Sequence, residues 1–109
     1  MVTMINLHIV NKENLEEAMT LLKENTDLAK KAKGFVSRQV FFSLKDPTKG
    51  YSITTWETKE DMEAFRVNPE RPPIVTEGEE KRVYAKTKKG KVLLFTQTDP
   101  DIFELVYSS

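Results

Sequence analysis

Residues 34–65 read GFVSRQVFFSLKDPTKGYSITTWETKEDMEAF: a strand, a loop, a second strand and the opening of a helix. In the first strand Val36, Arg38, Val40 and Phe42 point one way, and Phe35, Ser37, Gln39 and Phe41 the other. The breaker cluster Lys45-Asp46-Pro47-Thr48-Lys49-Gly50 turns the chain back. Tyr51-Ser52-Ile53-Thr54-Thr55-Trp56 has the β-branched and aromatic content of a strand. Thr58 is suited to cap a helix, and the acids Glu60 and Asp61 suit its positive end. The order is hairpin, then helix, with the only tryptophan at the junction.

Upstream, Thr3 to Val10 alternates. Ile5, Leu7 and Ile9 form one row, and Met4, Asn6, His8 and Val10 the other, so one face of this strand mixes polar and apolar groups. Asn11 to Lys33 has helical period. Asn11 or Asn14 is the expected cap, with Glu17 three residues after Asn14. Leu15, Ala18, Met19, Leu22 and Ala29 make an apolar stripe, widened by Leu21, Leu28 and Ala32, which fits a helix lying on a sheet. Lys30, Lys31 and Lys33 complement the negative end of the helix, and Gly34 stops it.

Downstream, Asn68-Pro69 and Arg71-Pro72-Pro73 end the second helix, which carries Met62, Ala64 and Phe65. Pro69 to Glu80 reads as a polar, proline-rich loop, a candidate pocket rim. Lys81 to Thr98 reads as a hairpin around Lys88-Lys89-Gly90. Thr98-Asp99-Pro100-Asp101 reads as a turn, and Ile102 to Tyr107 as a last strand.

The 109 residues suit a single domain, residues 1–109. Lysine plus arginine and aspartate plus glutamate both number 17, so no basic excess marks a nucleic-acid or anionic-membrane partner. With no cysteine and one histidine, disulfides, thiolate chemistry and a histidine-rich metal site are excluded. MVTMINLHIV has no basic leader character and is too short to span a bilayer, and the expectation is a cytoplasmic protein.

The order β-α-β-β-α, followed by more strands, predicts an α+β ferredoxin-like βαββαβ sandwich. Its antiparallel sheet carries both helices on one face, with an extra hairpin at 81–98 before the last strand. The uncovered face would be a large apolar patch, and face-to-face homodimerisation is the simplest way to hide it.

Gly34-Phe35-Val36-Ser37-Arg38-Gln39-Val40-Phe41, the Asp-Pro loop, and Thr55-Trp56-Glu57 before an acidic helix start resemble the antibiotic biosynthesis monooxygenase (ABM) family of the dimeric α+β barrel superfamily. The resemblance covers Met1 to about Pro69, and Phe103-Glu104-Leu105-Val106 resembles the family's last strand. It implies one of several activities. The first is a cofactor-independent monooxygenase that oxidises a small aromatic or polyketide-like substrate with O2. The alternatives are a haem-binding or haem-degrading relative and a non-catalytic ligand-binding dimer. In the haem group the resemblance implies a strand asparagine, a tryptophan opening the second helix and a helix-borne histidine ligand, for which no histidine occurs between Phe65 and Lys81. Asn6 and Trp56 match the first two. The only histidine, His8, lies on the first strand, so haem is disfavoured and no cofactor is expected.

The expected catalytic residues are therefore Asn6, as a donor to a developing oxyanion, His8, as the general base, and Trp56, as a stacking face. Two residues apart on a strand, Asn6 and His8 reach one cavity. Phe42, Tyr51, Phe65 and Tyr84 are the expected contacts for a small aromatic ligand.

Overall fold

The computed structural model describes residues 1–109. Six strands form one antiparallel sheet: β1 (Val2–Val10), β2 (Phe35–Phe42), β3 (Lys49–Trp56), β4 (Ile74–Glu77), β5 (Arg82–Thr87) and β6 (Gly90–Glu104), in the order β2-β3-β1-β6-β5-β4. Helices α1 (Leu15–Ala29) and α2 (Lys59–Arg66) lie against one face. Strands β1, β2, β3 and the second half of β6 complete the expected ferredoxin-like core.

The helical face carries two separate apolar clusters. Under α1, Ala18, Leu21 and Leu22 pack on Val10, Val83, Leu94 and Phe95. Under α2, Met62 packs on Trp56 and Ala29, with Val2, Met4, Phe35 and Phe65 around them. Thr58 caps α2 as expected, its hydroxyl accepting the Asp61 N–H at 3.0 Å. At α1 the Asn11 side chain takes the Glu13 N–H and opens a 3-10 turn over Lys12–Asn14. Asn14 makes no cap; its Nδ2 donates to the Leu93 carbonyl at 2.8 Å and ties the helix to β6.

Several expectations change. Helix α1 ends at Ala29, short of Lys33, and Leu15 is exposed, one turn before the helix meets the sheet. Phe35 does not share the bare face with Phe41. A bulge between Phe35 and Ser37 leaves Val36 unpaired, so Phe35 turns to the helical side and meets Trp56 edge-on at 6.0 Å. Part of the loop read over Pro69 to Glu80 is the edge strand β4, paired with β5.

The 81–98 hairpin exists but is not an insertion set apart by a turn. Its second arm continues without a break from Gly90 through Pro100 to Glu104, and the strand stops there rather than reaching Tyr107. Pro100 is tolerated because β5 has already ended. The Thr98 N–H points to that side and bonds the Glu80 carbonyl at 3.1 Å; the nitrogen of Pro100, two residues on, faces a side where no strand pairs.

The face away from the helices carries Ile5, Leu7 and Ile9 of β1 and Ile53 of β3, all half-buried, with Phe41, Tyr51 and Phe103 exposed around them. No helix is long and apolar enough to cross a membrane.

Gly34 links α1 to β2 at φ +81°, its carbonyl accepting the Glu57 N–H at 2.7 Å, and a Cβ there would overlap the Asp61 side chain. Gly34→Ala is expected to lower stability by roughly 1–3 kcal/mol in urea unfolding. Adding Asp61→Ala removes the overlapping carboxylate but keeps the Cβ at 2.6 Å, so it should return only a part of the loss, leaving the Cβ overlap and the backbone part.

Candidate functional site

On the helical face the middle of the sheet is polar. Pairing places Asn6 beside Ser52 and Pro100, and His8 beside Gly50 and Thr98, with Thr54 and Arg38 in the adjoining rows. These residues are too short or too polar to fill the space between the two apolar clusters. A cavity of about 600 Å³ lies there. A volume in this range suits a small-molecule site.

Asn6, His8, Trp56 and Phe65 all line this cavity, so the structure brings together the three expected catalytic residues and one expected ligand contact. The other three contacts are elsewhere. Phe42 is on the helical face but packs against the α1 cluster, in the space left by Gly50 opposite it. Tyr51 lies on β3 one residue out of phase with Ser52, on the bare face. Tyr84 is out of phase with the cavity-lining Val83, and its ring lies under the Lys91 ammonium at 4.9 Å.

Trp56 is 2 % exposed, with Phe65 at 5.2 Å and Phe35 at 6.0 Å between ring centroids. It is both wall and core, and meets a ligand over a small part of its surface. His8 is 5 % exposed. Its Nε2 lies 3.0 Å from the Ser52 hydroxyl, and Phe95 stands 5.1 Å from its ring. Burial, then the charge of Arg38, lowers its pKa from 6.5 to about 4. The imidazole is therefore neutral at physiological pH and is a weaker base than a solvated histidine.

Two arginines were not anticipated as site residues. Arg38 lines the cavity from β2, its Nε donating to Thr26 Oγ1 and its Nη1 to Thr54 Oγ1, each at 2.8 Å. Arg71 comes from the segment between α2 and β4, stacks over Phe65 at 5.0 Å and donates from Nη1 to the Arg66 carbonyl at 3.2 Å. Burial lowers the pKa of both; the second cause is Arg71 for Arg38 and Arg66 for Arg71. The signal for Arg38 was present: it shares a strand row with Val40 and Phe42. Nothing in the sequence places Arg71.

Four buried polar side-chain atoms have no hydrogen-bond partner: Asn6 Oδ1, His8 Nδ1, Asn25 Oδ1 and Arg71 Nε. All four belong to residues that line this cavity. Native interiors rarely leave such groups unpaired, and their coincidence in one place makes this cavity the candidate site.

The residues do not fit a haem. Helix α2 holds no histidine. His8 lies on the strand floor of the cavity, 5 % exposed, with Nε2 engaged by Ser52 and only the buried Nδ1 unpartnered, and not on a helix. No group of three metal-ligating side chains occurs.

A model of the family described as antibiotic biosynthesis monooxygenase matches residues 1–71. No curated protein matches the sequence. Solved structures share the fold at low identity. A candidate antibiotic biosynthesis monooxygenase from Deinococcus radiodurans superposes with a TM-score of 0.72 at 14 % identity, covering 100 % of this chain and 96 % of that one. SnoaB, a cofactor-independent oxygenase from Streptomyces nogalater, gives 0.71 at 12 %, covering 98 % and 94 %. A candidate antibiotic biosynthesis monooxygenase from Nitrosomonas europaea gives 0.69 at 13 %, covering 98 % and 100 %.

The His8 environment has a thermodynamic signature. Between pH 6.5 and about 4 the unfolded chain binds a proton at His8 that the folded one does not. The contribution of His8 to stability should therefore fall as pH falls through that window, by about 3 kcal/mol in all. NMR titration of the single imidazole is expected to show no protonation above pH 5. His8→Gln should flatten the corresponding slope of stability against pH.

Proposed function

The chain belongs to the antibiotic biosynthesis monooxygenase family, and from that premise we propose that it is a cofactor-independent monooxygenase acting on a small aromatic or polyketide-like substrate with O2. The observation that carries this reading is the ring-sized cavity with Asn6 and His8 on its floor and Trp56 and Phe65 on its wall. The substrate supplies the electrons. A ring methylene conjugated through the arenes to a carbonyl across the ring loses a proton, and the resulting enolate reduces O2. A C–O bond forms and the O–O bond breaks. One oxygen stays as the new carbonyl and the other leaves as water, so that CH2 plus O2 becomes C=O plus H2O.

The protein's part is to bind, orient and move the proton. The Asn6 carboxamide holds the oxyanion of the enolate. His8 accepts the proton at Nδ1, the ring nitrogen left without a hydrogen-bond partner, with Ser52 on Nε2 fixing the ring. With a pKa of about 4, His8 is a mismatched base at neutral pH, so oxyanion stabilisation supplies the larger share of the acceleration. The same depressed pKa favours a second reading, a ligand-binding dimer without turnover.

An oxygen electrode with an anthrone as substrate separates the two. Turnover should consume one O2 per quinone formed, and Asn6→Ala should lower kcat about a hundredfold. Uptake no faster than the buffer background, together with saturable binding of the anthrone, would leave the binding dimer.

The proposed partner is a second copy of this chain, seated on the bare face around Leu7 and Ile53. Sedimentation should give twice the 12.6 kDa chain mass. Leu7→Glu, which sets a carboxylate at the centre of that face, should give a folded monomer.

A further inference from the structure

We propose that the ligand of this cavity is an anion: an aromatic compound bearing a carboxylate or phosphate monoester, whose charge is met by Arg38 and Arg71. The inference rests on reading the cavity as the substrate site and names the chemical class of its occupant.

Arg38 and Arg71 both line the cavity. The ion pairs of the chain are Lys23–Asp27, Arg66–Glu63, Arg82–Glu80 and Lys91–Glu77, and neither arginine is in one. Their hydrogen-bond partners are neutral: two threonine hydroxyls for Arg38 and the Arg66 carbonyl for Arg71. The guanidiniums lie near enough for the charge of Arg71 to act on Arg38. Two half-buried cations on one cavity without a counter-ion are costly, and an anion bound there lowers that cost.

The rest of the lining supports the sign. Arg66 and Lys81 also border the cavity, and its one carboxylate is Asp101. Asp101 is exposed and its Oδ1 takes the Ile102 N–H at 2.8 Å. The geometry supports an oxyanion in particular. Thr26 and Thr54 fix Arg38 through Nε and Nη1, which leaves Nη2 free. Arg71 has an unpartnered Nε beside its own Nη2, the edge by which arginine grips two oxygens of one group. Phe65, under the Arg71 guanidinium, puts an aromatic surface next to the charge, so ring and oxyanion are recognised together.

Calorimetry with three oxygen-inert probes of equal ring size tests this: 2-naphthoate, 2-naphthyl phosphate and the neutral 2-naphthylmethanol. At low salt at least one anion should bind ten or more times tighter than the alcohol, and the tighter of the two names the oxyanion. Arg71→Gln should reduce the preference to threefold or less, with the thermal unfolding profile unchanged. Arg38 also braces Thr26 and Thr54, so Arg38→Gln can fail to fold; Arg38→Lys keeps the charge and should keep most of the preference. Equal affinity for alcohol and anions, or a preference intact in Arg71→Gln, overturns the inference. Oxygen uptake with a phenol but no anion preference defeats this inference alone; anion preference without oxygen uptake defeats the monooxygenase reading alone.

Discussion

Strand β1 is paired along nearly its whole length on both sides, to β3 and to β6. A strand held this way cannot slip by one residue without turning every side chain to the wrong face. That constraint sorts its residues into two sets. Ile5, Leu7 and Ile9 face away from the helices, while Met4, Asn6 and His8 face them. The neighbours repeat the division, with Ser52 and Thr54 of β3 on the helical side and Ile53 between them on the other. Sheet pairing thus makes a polar floor and an apolar back from the same strands. The helices then anchor at opposite ends, α1 on Val10, Leu94 and Phe95 and α2 on Trp56, because only there is the helical face apolar. The hollow lies where neither helix has anything to pack on.

Most of this was legible in period and capping. Alternation along β1 placed Asn6 and His8 together, and the Thr58 cap located α2. What was missed depends on long-range pairing. The bulge after Phe35 turns Phe35 to the helical face and leaves Val36 unpaired, and no local pattern announces it. The Thr98-Asp99-Pro100-Asp101 run has turn chemistry, yet β1 holds it extended and Pro100 loses no bond at an unpaired edge. Tyr51 and Tyr84 were grouped with the site by residue type, and strand parity puts both outside it. Arg71 arrives from an irregular segment whose path follows from β4 adding to the sheet edge, itself invisible before β5 and β6 are seen as a pair.

The charges of the cavity are linked. Arg38 is the second cause of the low pKa of His8, after burial. Any negative group drawn to Arg38 weakens that second cause and leaves the first. Because burial is the larger cause, the imidazole stays depressed with the cavity filled. On the proposed reading, an anionic ligand would offset the Arg38 part of the depression while adding to the burial part, so its two effects would act on His8 in opposite directions. Without such a ligand the imidazole is neutral and neither Arg38 nor Arg71 has an acidic partner, so the positive charge of the cavity sits on the arginines and not on His8.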